Sequence, residues 1–281
     1  PHQLHLLPCP NGVINLKTGE LLPNASPEDL FTHACATKYE SRADTAPAVE
    51  FYQQFFPVEA YADQEAFVRF MQQWFGYSLT LETRLELCVW FYGPGSNGKT
   101  ILVELLAHVL GSVEKGGVHT AIPMSSLCKG RGVNNDALYD ARHARNVTIS
   151  ESDHSTKISE AATRALVTGE QQHMKQMYKK EVKVRPKFKI TCCVNELPQW
   201  DNGNAFCTTR RNLYVLLKKI YIDNRKAADR KQIEKYRGQD MPECLIVKKN
   251  IFYKDKTVYG HEAAFLRFWV LGAMAFYQSG N

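Results

Sequence analysis

The feature that most narrows the fold is an apolar run that breaks into glycines and resumes as a helix: WFYGPGSNGKTILVELLAHVLG, Trp90 to Gly111. LCVWFY, Leu87 to Tyr92, is short and continuously apolar, the mark of a strand buried on both faces. Gly93-Pro94-Gly95-Ser96-Asn97-Gly98-Lys99-Thr100 then fits G-x-x-x-x-G-K-[ST] in full. ILVELLAHVL, from Ile101, reads as a helix broken only by Glu104 and His108 on one face and ended at Gly111. Such glycines let backbone N–H groups curl round phosphate oxygens, and the helix behind them points its positive end at the same charge. The loop is therefore expected to hold a nucleoside triphosphate along Gly93 to Ile101, with Lys99 on the β- and γ-phosphates and Thr100 on Mg2+.

A phosphate loop alone does not choose between kinases, GTPases, transporters and helicases. Two more continuous apolar runs, VTIS (Val147 to Ser150) and FKITCCV (Phe188 to Val194), have helical patterns between them. The core thus reads as an α/β fold, a parallel sheet flanked by helices. The first run ends at Glu151, where a carboxylate would polarise water and support Mg2+; Asp153 and His154 compete for that role, and a helix cap is the plain alternative. The second ends at Asn195, whose amide suits sensing of the γ-phosphate, or simply a turn. TTRRNLYVLL puts Arg210 and Arg211 at the start of an apolar run, as an arginine finger for a neighbouring subunit or as a surface ion-pair cluster. In HMKQMYKKEVKVRPKFK, Lys175, Lys179, Lys180, Lys183, Arg185, Lys187 and Lys189 face one acid, Glu181. That concentration suits a nucleic-acid backbone; a lysine-edged hairpin guarding a sheet edge is the alternative.

The flanks are simpler. NGVINLKTGELLP, Asn11 to Pro23, reads as a small hairpin between Asn-Gly and Thr-Gly turns. Phe67, Phe70, Met71, Trp74 and Phe75 recur at helical spacing from Asp63 to Phe75, with Gly76 as the expected stop. The chain turns basic and polar after Leu217 and closes on the aromatic helix EAAFLRFWVLGAMAFY. A division follows: residues 1–80 as a hairpin and helical region, 81–217 as the nucleotide-binding core, 218–281 as a basic and helical end. Its net charge of +6 permits a polyanionic partner without demanding one. Eight cysteines without a C-x-x-C pair imply a reducing, intracellular setting, the cytoplasm of a host cell or a viral replication site. No segment reads as a membrane span or a signal peptide, and His2, His5 and Cys9 lack the paired spacing of a metal site. Pro1 in place of an initiator Met implies a piece of a longer chain.

Taken in order, these segments resemble the helicase half of phage, plasmid and poxvirus-type primase–helicases, grouped with superfamily 3 helicases of the AAA+ class. The resemblance rests on NGVINLKTGELLP, FYGPGSNGKT with its Ser-Asn before Gly-Lys, NNDALYDARHARNVTISES, ATRALVTGE, PKFKITCCVNELP and TTRRNLYVLL. It implies an AAA+ P-loop ATPase core with small, mainly helical additions at both ends. ATP and Mg2+ would be held by Lys99 and Thr100, with Glu151 as Walker-B acid and Asn195 as sensor. Arg210 or Arg211 would act in trans, and Lys175, Lys179 and Lys180 would contact single-stranded or forked DNA in the pore of a homo-oligomeric ring, a hexamer. A primase or polymerase domain in the same polypeptide is also implied. Where the family tends to have a lysine and then Leu-Thr-Gly-Gly-Asp, this chain has Arg164 and Val167-Thr-Gly-Glu170, and no second acid accompanies Glu151. Two other classes compete: a DNA-binding assembly module with a regulatory ATPase, and a small-molecule phosphotransferase.

Overall fold

The structure, a computed structural model, describes residues 3–23, 31–128, 135–150, 157–174, 181–201, 210–222, 231, 246–248 and 257–280. It opens with β1 (Leu6–Cys9), β2 (Gly12–Asn15) and β3 (Glu20–Leu22), an antiparallel meander. The expected hairpin is the β2–β3 pair, with Val13 opposite Leu22. It gains β1 because all four residues of LLPC are buried and pair one for one with β2. Next come α1 (Ala46–Phe55), with Pro47 in its first turn where no N–H is needed, and α2 (Gln64–Leu79). The Asp63 side chain caps α2 by accepting from Ala66 N at 2.9 Å.

The central sheet is built from β4 (Cys88–Tyr92), followed by α3 (Lys99–Leu110), then β5 (His119–Pro123), α4 (Asn135–Ala141) and β6 (Asn146–Ser150). α5 (Glu160–Val167) leads into a small hairpin, β7 (Gln172–Met174) with β8 (Val182–Val184), and back to the sheet at β9 (Lys189–Val194) and β10 (Asn212–Leu216). The order is β10-β4-β9-β6-β5 and every pair is parallel. All strand C-termini therefore open on one edge, where α/β proteins place their ligands. The three runs read as strands are its centre, β4, β9 and β6. The two outer strands, β5 and β10, carry exposed residues among buried ones because they lie at the sheet edges. Alternate residues of β4 serve two cores: Val89 and Phe91 pack with α1, α2 and α3, while Cys88 and Trp90 pack with α4 and α5. β11 (Ile220–Ile222) pairs parallel with β12 (Ile246–Lys248), and α6 (Glu262–Gln278) ends the described chain.

Gly76 does not stop α2, which continues to Leu79. Its reason lies in α6, which crosses α2 backbone against backbone. A Cβ on Gly76 would stand 2.3 Å from Ala273 N, and one on Gly272 would stand 1.9 Å from Gln72 O. The glycine is a contact, not a terminator. Lys189 also departs from its expected place on the basic surface. It is buried, and its Nζ donates to Thr80 O and, at 3.0 Å, to Lys187 O. Arg145 lies beside it, donating at 2.6 Å to Leu79 O and to Leu6 O. The two cations satisfy the last carbonyls of α2, the end where positive charge is favoured, and tie β1 to the foot of the sheet. Burial drives the Lys189 ammonium well below its ordinary pKa.

His119 gives a stability test. It is 3% exposed, and its Nε2 lies 3.2 Å from Thr148 Oγ1. Burial lowers its pKa to about 4. The unfolded chain, titrating near ~6.5, binds more protons between those values, so stability falls as pH drops from about 6.5 to 4. The expected loss is up to about 3 kcal/mol, and His119→Gln should flatten that part of the urea midpoint measured against pH.

Candidate functional site

The Gly93–Gly98 loop leaves the C-terminal end of β4 and feeds straight into α3 at Lys99. Its backbone is bent in ways the motif requires. Gly93 has φ 150° and Gly98 has φ 94°, while Ser96 takes a left-handed 65° without being glycine. A Cβ on Gly93 would meet Leu217 O at 2.4 Å and Asn97 Nδ2 at 2.8 Å. The loop is thus a cradle that a side chain at its first position would fill. Lys99 folds back into it, donating from Nζ to Gly93 O at 2.8 Å and to Asn97 Oδ1 at 2.9 Å. Asn97 is 3% exposed and its Nδ2 has no hydrogen-bond partner. Thr100, one residue into α3, is exposed, and Ile101 is half-buried behind it. First-turn N–H groups, an ammonium and an orphaned amide donor in one cradle suit an oxyanion.

Three residues that were not singled out as candidate site residues hold the loop in shape. Leu217 N donates to Tyr92 O at 2.7 Å, closing the gap between the ends of β10 and β4. Tyr221 N donates to Ser96 O at 2.7 Å, and the Phe55 ring stands 3.0 Å from where a Gly98 Cβ would be. Only tertiary contact brings these together, since Phe55 and Tyr221 are far from the loop in sequence.

Tyr92 pairs with Val194, so Gly93 and Asn195 leave adjacent strands at the same level. Asn195 is half-buried there. Burial pushes the Cys193 thiol, two residues before it, up to about 12, with the Lys99 ammonium acting in the opposite direction. β6 reaches the same edge, its last residue Ser150 paired with Cys193. Glu151, next in the chain, lies outside the described residues, as do Asp153 and His154.

Arg210 and Arg211 stand at the other edge. Asn212 pairs with Cys88, which sets both arginines at the N-terminal foot of β10, about 20 Å along the sheet from Gly93. Both donate to Glu86 Oε2, at 3.0 and 3.2 Å. The Arg210 side chain is 61% exposed against 16% for Arg211. Neither can reach the loop of its own chain.

The basic segment forms the hairpin β7–β8, with His173 opposite Lys183 and paired with Glu181. Lys175, Lys179 and Lys180 lie outside the described residues. Ahead of the hairpin, Arg164 pairs with Glu170 at 3.7 Å. Groups of three or more metal-ligating side chains are absent among the described residues. Cys9 is instead buried and donates to Gly12 O, and His5 packs edge-on against Tyr277.

Comparison with known proteins matches two stretches of the chain. A family model described as D5 N terminal like matches residues 2–75. A second, described as a family of unknown function, matches residues 91–211 and so begins in β4, just ahead of the glycine loop. The fold is shared with the apo structure of the NrS-1 C terminal region (305-718), at 13% identity and TM-score 0.53, over 97% of this chain and 53% of that one. The A form apo structure of the same region gives 14% identity and TM-score 0.51, over 90% and 50%. The chain thus spans about half the length of the structures it matches. No curated protein matches the sequence. The N-terminal match concerns residues 2–75 alone, and the likeness to the NrS-1 region is one of fold.

Proposed function

We propose that the chain is the ATP-driven motor of a phage- or virus-type replication protein, hydrolysing ATP at subunit interfaces to move single-stranded DNA through a ring. The observation that carries this reading is the cradle itself: Lys99 folded into a glycine loop at the head of α3. It favours ATP with Lys99 on the β- and γ-phosphates, Gly93 to Gly98 wrapping them, and Thr100 with Glu151 as the Mg2+ ligands. Bound Mg2+ supplies neutralisation of charge between the phosphates. Asn195, level with Gly93, orients the attacking water. Residues 81–217 form the ATPase core of the AAA+ type, a reading that the strand order supports through β9, which separates the phosphate-loop strand from β6.

The distance of both arginines from their own loop favours a role in trans. Arg210 is the finger, because its side chain is the exposed one, and Glu86, shared with Arg211, holds it in place. Leu213, Tyr214 and Leu216 of β10 expose apolar surface beside it, which a neighbouring copy in a hexameric ring would cover. Lys175, Lys179 and Lys180 contact the DNA backbone in the pore. A primase or polymerase domain in the same polypeptide supplies priming, and the setting is intracellular. Among the described residues no helix is long and apolar enough to cross a membrane.

Strand displacement on a forked DNA duplex tests this reading. The native chain should release the strand with ATP and not with a non-hydrolysable analogue. Arg210→Ala should lower hydrolysis about 10³-fold, the scale of a lost arginine finger, and Arg211→Ala less. Hydrolysis without displacement would favour a regulatory ATPase, and phosphate transfer to a nucleoside monophosphate would favour a kinase.

A further inference from the structure

Asn97 is buried at 3% exposure inside the loop, yet only half of its amide is used. Oδ1 accepts from Lys99 Nζ at 2.9 Å. Nδ2 has no partner and lies against Gly93, 2.8 Å from where a Cβ there would stand. A buried donor left unpaired is destabilising by about 1–3 kcal/mol, so a fold that keeps one at a functional loop keeps it for a ligand. The amide cannot be turned over to relieve this, because Nδ2 would then face the Lys99 ammonium, donor against donor. Lys99 also fixes which way the amide points, since Gly93 O shares the same ammonium at 2.8 Å. The two side chains form one unit.

We propose that Asn97 is a positioning residue that discriminates nucleoside triphosphate from diphosphate. Its oxygen holds Lys99 at the mouth of the loop, and its nitrogen donates to an oxygen of the terminal phosphate. The proposal rests on the nucleotide reading of the Gly93–Thr100 loop. Alanine or serine at position 97 would remove the side-chain acceptor that holds Lys99 beside Gly93 O. Aspartate would keep the acceptor for Lys99 and replace the donor with a negative charge facing the phosphate.

The test is the dissociation constant for Mg-ATPγS and for Mg-ADP, by calorimetry, in the native chain, Asn97→Ala, Asn97→Asp and Lys99→Ala. The native chain should bind both nucleotides. Asn97→Ala should weaken ATPγS about tenfold or more, the scale of one hydrogen bond to a charged group, and ADP less than about threefold. Asn97→Asp, matched in size and therefore the safer variant for folding, should weaken ATPγS about a hundredfold. Equal weakening of both nucleotides would make Asn97 merely structural and overturn the proposal. Native affinity in both Asn97 variants, with binding lost in Lys99→Ala, would overturn it while leaving the nucleotide site intact. If the native chain binds neither nucleotide, the reading of the loop falls first.

Discussion

Gly272→Val should melt at least on the order of 10 °C below the native chain, and Gly272→Ala should already show most of the effect. α2 and α6 meet at Gly76 and Gly272 with no side chain between them, and a Cβ on Gly272 would stand 1.9 Å from the Gln72 carbonyl oxygen. Backbone cannot rotate away as a side-chain tip can, so the helices must separate. That separation opens the buried contacts of Phe75 with Trp269 and of Tyr77 with Phe276. Overpacking of this kind destabilises by about 3 kcal/mol or more, and each kcal/mol lowers the midpoint by about 2–4 °C in a chain of this size. Calorimetric melting of both variants checks it. Gly272→Ala melting with the native chain would show that the helices do not cross this closely.

Lys99→Ala should lose nucleotide binding by about a hundredfold and leave hydrolysis at background, because the ammonium brings a full positive charge into the loop. Stability should fall by about 1–3 kcal/mol at most, the scale of leaving the buried Asn97 Oδ1 without its donor. Fluorescent-nucleotide titration beside a melting curve separates the two effects. A variant that binds as the native chain does would mean the cradle is only a turn. Lys99→Arg should not rescue, because the larger fork has to fit a loop so close that a Cβ on Gly93 would stand 2.4 Å from Leu217 O.

What could be read in advance follows a physical pattern. β4, β6 and β9 were legible because strands covered on both faces must be apolar throughout, and LCVWFY, VTIS and FKITCCV have no other soluble use. The glycine loop was legible because backbone curvature of this kind leaves its mark in residue type. β5 was not, since HTAIP at a sheet edge mixes buried and exposed positions over only five residues. Gly76 was misread because a close helix crossing and a helix end call for the same residue, and its partner Gly272 lies far away in the sequence. Lys189 was misread for a similar reason: charge alone does not reveal that the ends of α2 lie above it, offering carbonyls. Glu86, Phe55 and Tyr221 had no signal at all. They act through neighbours brought together only by the fold.

The most direct measurement of the central claim is ATP hydrolysis per subunit against protein concentration, with and without single-stranded DNA. A motor whose finger comes from the next subunit should hydrolyse faster per subunit as concentration rises, reach a plateau once rings are complete, and rise further with DNA. A rate per subunit that is flat in concentration and indifferent to DNA would contradict a shared active site, and with it the assignment of this chain as a ring motor.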